Sequence, residues 1–343
     1  MCKRFVAVLA SLSLFSSAYS QSADSASYYF EKGIEEKNAR RFREAEKNFV
    51  KSDQFSPGRL NTLLELANAY LEQNRYTEAL LSFQKAEKVD ASNLTIIENL
   101  ASLSFNHRKW EDAIRYANRM QQLKSSKPAN YIIGKSYFEQ ENYGKAIQFL
   151  NLAAKEEPVR AEIPYAIAKA YLDMSNYRQS AAFYEKAIAL DSSRANWIYE
   201  AGLVFYAIPD YKRSLEFMEL ASVKGITRNN NFLENLGNAY INAGQYEKGV
   251  TVLQEVLERK PGDQEILYQV AQAYYNGKKY QEAIEYWDQV LGNDKTNARA
   301  LYMIGLSYQK KGEKQKGVQL CDKAIEMDPS LNALKQKQGN LAM

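Results

Sequence analysis

Beyond residue 20 the chain carries a single histidine, His107, and a single cysteine, Cys321. A lone imidazole has no nucleophile to activate and no second ligand with which to hold a metal. Cys321 lies at a core position of a helical pattern, where a thiol acts as a small apolar side chain. No phosphate-cradling loop, G-x-S-x-G elbow or paired-cysteine motif is present. Carboxylates are plentiful but stand beside lysines, as in Glu31-Lys32 and Glu185-Lys186, which predicts solvated helix surface. No catalytic residue, metal site or cofactor is therefore expected, and the chain is not expected to be an enzyme. The residue type that stands out is tyrosine, with 25 copies, and its chemistry is recognition.

The elements that position these tyrosines follow a regular beat. Small residues stand at Ala45, Ala79, Ala113, Ala146, Ser180, Ser214, Gly249, Ala283 and Gly317, spaced by 33 to 35 residues. Twelve residues before each comes another: Gly33, Ala67, Ala101, Gly134, Ala168, Gly202, Gly237, Ala271 and Gly305. Two small residues per unit let two helices approach closely. Leu63, Leu66, Ala67 and Tyr70 form an apolar stripe at helical spacing, and Ala79, Phe83 and Ala86 carry the stripe of a second helix. Pro57, Pro158, Pro261 and Pro329 fall between units, where a helix must stop.

These residues resemble the tetratricopeptide repeat (TPR) family, whose unit is a helix–turn–helix of about 34 residues. The resemblance covers residues 26–330, with repeats starting near 26, 60, 94, 127, 161, 195, 230, 264 and 298. It implies an all-α fold, a right-handed superhelical solenoid of about nine repeats. Residues 331–343 are expected to add a short capping helix. The second helix of the last repeat is expected to be weak, because Lys314 and Gly317 replace the usual aromatic and alanine.

In this family the first helix of each repeat lines a concave face, which implies a partner-binding groove. The positions carried over are Asn68, Asn99, Phe105, Tyr131, Phe138, Tyr165, Tyr199, Tyr206, Asn235, Asn238, Tyr268, Tyr275 and Tyr302. That lining is expected to be aromatic, rich in amides and nearly uncharged. The family's carboxylate clamp is not expected: Asn68 and Asn99 match its amides, but Leu64, Pro128 and Ile132 replace its cations.

Lys3 and Arg4, the apolar run 5–15 and the Ala18-Tyr19-Ser20 ending predict a secretory signal peptide over 1–20 and a leader over 21–25. The run is too short for a membrane span. It resembles signal peptides of Bacteroidota-type Gram-negative bacteria, so the expected location is the periplasm or cell envelope, or outside the cell. Removing Lys3 and Arg4 lowers the formal charge of +4 by two, to +2, which argues against a nucleic-acid partner. The function expected is a scaffold that binds protein or peptide, in envelope assembly or secretion. The alternative is a binding protein for glycan or another small polar ligand.

Overall fold

The computed structural model describes residues 23–334, and every regular element among them is a helix. The first, α1, covers 23–38, so residues 23–25, expected as leader, are already helical. It is followed by α2 (Phe42–Phe55), α3 (Leu60–Glu72), α4 (Tyr76–Val89), α5 (Leu94–Asn106) and α6 (Trp110–Gln122). Next come α7 (Asn130–Glu139), α8 (Tyr143–Glu156), α9 (Glu162–Asp173), α10 (Tyr177–Leu190), α11 (Ala195–Ala207) and α12 (Tyr211–Val223). The series continues with α13 (Asn230–Asn242), α14 (Tyr246–Arg259), α15 (Gln264–Asn276), α16 (Tyr280–Asn293), α17 (Ala298–Lys311) and α18 (Lys314–Met327). A 3₁₀ turn, Pro329–Leu331, follows α18. The expected signal peptide and most of the expected cap lie outside the described residues. None of the described helices is long and apolar enough to cross a membrane. By contacts, the chain divides into two compact units at Ala170 and Tyr171.

Within each unit the small residues explain the helix pairs. A Cβ added to Gly33 would stand 2.5 Å from the Phe49 ring, and one on Gly134 would stand 2.9 Å from the Leu150 backbone nitrogen. In the second unit, a Cβ on Gly237 would lie 2.7 Å from Leu253, and one on Gly305 would lie 2.7 Å from the Gly317 carbonyl. Ser214, at a small-residue position, donates its hydroxyl to the Gly202 carbonyl at 2.9 Å. Any larger side chain at these points pushes against packed atoms. The core is otherwise filled by large apolar groups, with Phe83 and Leu100 buried in one unit and Trp287 and Val290 in the other.

The turn between the two helices of a repeat recurs with one backbone conformation. Its central residue has positive φ in all nine repeats: Arg40, Asn74, Arg108, Glu141, Ser175, Pro209, Gly244, Lys278 and Gly312. The next residue's N–H then closes back on the carbonyl five residues earlier, as Arg75 does on Tyr70 at 2.9 Å and Gln245 on Tyr240 at 2.9 Å. This caps the end of the first helix with a left-handed residue.

The expected weakness of the last helix does not show in its length. α18 runs 14 residues, the same length as α16. Lys316 lies 3.7 Å above the ring of Tyr308, so a cation on an aromatic face supplies part of what the missing aromatic would have supplied.

Candidate partner-binding surface

The surface positions carried over from the repeat pattern all lie on first helices. In the first unit they are aromatics and amides, and cations from other positions lie over two of the rings. Tyr131, on α7, is half-buried, and the Arg160 guanidinium sits 3.7 Å from its ring centre. Phe138, two turns along, has Lys135 Nζ 4.4 Å from its ring and meets Tyr143 edge-on at 5.7 Å. Phe105, on α5, packs edge-on against Trp110 at 5.6 Å. Tyr165 on α9 is half-buried, and Asn68 on α3 is exposed. Asn99 is half-buried and donates its amide back to the Thr95 carbonyl of its own helix at 2.8 Å.

Charge is not absent from this wall. Lys37 on α1 reaches Glu65 on α3 at 2.6 Å, and Glu98 on α5 takes Lys127 at 2.6 Å and Ser125 at 2.7 Å. Burial works to raise the Glu98 carboxyl, yet the bonds from Lys127 and Ser125 hold it below the usual range. The nearly uncharged lining expected from aromatic and amide counts is therefore corrected. Carboxylates occupy inward positions and are neutralised by cations from neighbouring helices and turns.

In the second unit the corresponding positions are organised by amides. Asn235 on α13 donates to the Tyr199 hydroxyl on α11 at 2.7 Å, and the Tyr199 ring packs on Phe232 at 5.2 Å. One step along, Asn242 donates to the Tyr206 hydroxyl at 2.7 Å and also to the Asn238 carbonyl at 2.9 Å. Tyr206 meets Tyr211 edge-on at 5.5 Å, and Tyr275 on α15 meets Tyr280 the same way at 5.7 Å. Burial pushes the phenols of Tyr199, Tyr206 and Tyr275 upward, so they stay neutral donors throughout the physiological range. Glu234 on α13 is also raised, by burial first and then by the neighbouring Asp263 and Glu265.

Two positions lie deeper than expected. Tyr302 is only 1% exposed and belongs to the core with Trp287 and Leu306, so it is not a surface residue. Its position in the repeat is inward, but the ring turns into the packing of the last repeats. Tyr268 packs at 4.5 Å across Trp287, with its hydroxyl buried and without a hydrogen-bond partner.

Two contributors were not singled out from sequence. Asn242 occupies an inward position of the family pattern, one place beyond the residues chosen, and that register was the signal available. Arg160 sits in the turn between repeats, where no periodicity marks it. The edge-on pairs Phe105–Trp110, Phe138–Tyr143, Tyr206–Tyr211 and Tyr275–Tyr280 also place the aromatic that starts each second helix beside these positions.

Comparison with known proteins agrees with this architecture. The profile described as tetratricopeptide repeat matches residues 30–93, 64–128, 165–224, 234–298 and 271–332, which together span well over half the chain. A second profile, described as anaphase-promoting complex, cyclosome, subunit 3, matches residues 106–187. No curated protein matches the chain. Among solved structures, YrrB, described as a TPR protein with an unusual peptide-binding site, is 28% identical over 55% of this chain and 97% of its own, with a TM-score of 0.45. The C-terminal part of a TPR repeat-containing protein from Cytophaga hutchinsonii is 19% identical over 67% of this chain and 94% of its own, with a TM-score of 0.48. The TPR domain of P58(IPK) is 17% identical over 91% of this chain and 99% of its own, with a TM-score of 0.31. With nine helix pairs among the described residues, two small residues per pair and profile matches along most of its length, the chain belongs to the tetratricopeptide repeat family, a scaffold fold for protein–protein interaction.

Proposed function

We propose that the protein is an exported scaffold that binds an extended peptide segment of a partner on the wall of α11, α13 and α15. The observation that carries this reading is the pair of amide–phenol bonds, Asn235 to Tyr199 and Asn242 to Tyr206. Each phenol oxygen accepts from an amide, so its own O–H is left to donate outward. The two phenols are seven residues apart on one helix, a rise of about 10.5 Å at ~1.5 Å per residue. An extended polyproline II segment advances about 9 Å in three residues, one full turn, so its carbonyls three residues apart face the same side. The two hydroxyls therefore match carbonyls three residues apart on a peptide, whatever its side chains.

A glycan remains the second reading, since tyrosine and asparagine also suit sugars. The rings of Tyr199 and Tyr206 are each engaged by another aromatic, which leaves less open face for a sugar to stack on. Export follows from the charged, apolar and small-residue order of residues 1–20, with cleavage after Ser20, and the role fits envelope assembly or secretion. The test is a photo-crosslinking residue placed at Tyr206, followed by recovery from cell-envelope extract. Crosslinked peptide mapped to one partner supports the reading. Crosslinks to glycan alone, or a mature chain still carrying residues 1–20, would overturn the corresponding part.

A further inference from the structure

The two phenols on α11 differ in how firmly their polarity is set. The Asn242 amide nitrogen makes two bonds, to the Tyr206 oxygen at 2.7 Å and to the Asn238 backbone carbonyl at 2.9 Å. A backbone carbonyl only accepts, so the end of the Asn242 side chain that faces both groups is its NH₂. Tyr206 is thereby the acceptor in its bond, and its single O–H proton points elsewhere. Asn235 meets the Tyr199 oxygen at 2.7 Å in the same sense, but no second bond holds that amide among the described residues. Asn242 is therefore the positioning residue, and Tyr206 is its committed donor.

Two donors about 10.5 Å apart on one helix face discriminate between the backbones a partner could bring. A helical segment spends its carbonyls on its own hydrogen bonds. In a β-strand, carbonyls on one side recur every two residues, at about 6.7 Å and then about 13.4 Å, which miss the spacing from below and above. Polyproline II leaves every carbonyl unpaired and repeats one side at about 9.3 Å, which two rotating hydroxyls can meet. The same spacing on α7 joins Tyr131 to Phe138, which has no hydroxyl, and on α15 the Tyr268 hydroxyl is buried. Beside the donors, Tyr206 and Tyr211 stand at 63° with ring centres 5.5 Å apart, and Tyr275 and Tyr280 repeat this at 65° and 5.7 Å. Rings set at such angles enclose a notch rather than an open face.

Resting on the peptide reading above, we propose that the partner segment is proline-rich and binds as polyproline II. Its carbonyls three residues apart accept from Tyr199 and Tyr206, and Asn242 sets the donor polarity on which this selection depends. The hydroxyls match any chain in this conformation, but three properties single out proline. Its chain holds polyproline II before binding, so little ordering is left to do. Having no N–H, it brings no donor to face a donor. Its pyrrolidine ring enters the Tyr206–Tyr211 notch with no rotamer entropy to lose. Recognition then runs between neutral donors and backbone acceptors and needs no charge on either side.

The experiment uses the whole mature chain and two fluorescent probes of equal length, an oligoproline and a glycine–serine peptide, with binding read by polarisation. The oligoproline is expected to bind at least about tenfold more tightly. Tyr206→Phe removes the donor and keeps the ring, and should weaken oligoproline binding by about fivefold. Tyr131→Phe should leave it unchanged. Asn242→Asp sets an acceptor-only carboxylate beside the phenol and should turn the Tyr206 O–H inward. Oligoproline affinity should then fall as far as in Tyr206→Phe. In the free protein, the tyrosine doublet of the Raman spectrum, which distinguishes donating from accepting phenols, should shift towards the donor form. Equal or absent binding of the two probes, or oligoproline binding unmoved by Tyr206→Phe, overturns the proline class. Crosslinking from Tyr206 to a protein would in that case still support the peptide reading. A Raman doublet unchanged by Asn242→Asp overturns the positioning role.

Discussion

Tyr131 and Phe138 in the first unit lie beneath cations, with Arg160 3.7 Å from one ring and Lys135 4.4 Å from the other. Tyr199 and Tyr206 in the second unit stand in corresponding places, but asparagines hold them by their hydroxyls at 2.7 Å. The repeat frame is the same in both. The difference lies in what the next element supplies: a long charged side chain from a turn or the same helix, or a short amide from the following first helix. A cation over a ring is broad in geometry, covers the face and weakens in salt. An amide–phenol bond is directional, fixes the ring and leaves a donor to spare. In the first unit the ring faces are covered, while in the second the rings are fixed through their hydroxyls.

The largest expected effect tests the frame both units share. Ala79→Leu in the first unit and Gly237→Leu in the second should each cost about 1–3 kcal/mol or more, because the new side chain meets packed atoms. Hydrogen exchange should rise around the altered repeat and its neighbours, since coupling in a repeat array is nearest-neighbour. An even rise over all repeats would show that the frame is not built from local pairs.

Next comes the contrast between walls. Tyr199→Ala and Tyr206→Ala should each weaken partner binding by about 1–3 kcal/mol, as hot spots do. Tyr131→Ala should change it by less than ~1 kcal/mol, with calorimetry as the measure. A greater loss at Tyr131 reverses the assignment of covered and receptive walls.

Salt sharpens the same contrast more gently. Raising ionic strength from about 0.05 to 0.5 M should alter affinity at the amide wall by no more than about threefold, because its contacts are neutral. A tenfold or steeper decline would place binding on ion pairs such as Lys37–Glu65 or Lys127–Glu98 instead.

The smallest effect appears only in alkali. Burial, with help from the acceptor Glu219 at 2.5 Å, pushes the Tyr240 hydroxyl from 10 up to about 12. The folded chain keeps this proton more tightly than the unfolded chain does. The resulting stability is whole below pH 10 and lost as pH rises towards about 12. Tyr240→Phe should flatten the decline in Tm over that window and leave Tm at pH 7 little changed. An identical alkaline decline in both proteins removes Tyr240 as its source.

Much of the fold was legible because it rests on absent side chains. Gly33, Gly134, Gly202, Gly237 and Gly305 each face a neighbour that leaves no room for a Cβ, and such a requirement repeats at fixed spacing. The candidate wall was legible in register but not in role. Tyr199 and Tyr302 hold the same place in their repeats, yet one is half-buried on the wall and the other is buried at 1% exposure. Which way a ring turns depends on the helix that packs beside it, and a repeat position does not encode that neighbour.

The sequence by itself determined the helix pairs, their number and their close approach, because each depends on residue size at a spacing along one chain. Only the tertiary structure decided that Asn242 meets Tyr206 and that Arg160 covers Tyr131. These outcomes join residues about 30 apart in the chain. Both are balances between competing contacts, and those contacts exist only once the helices have stacked.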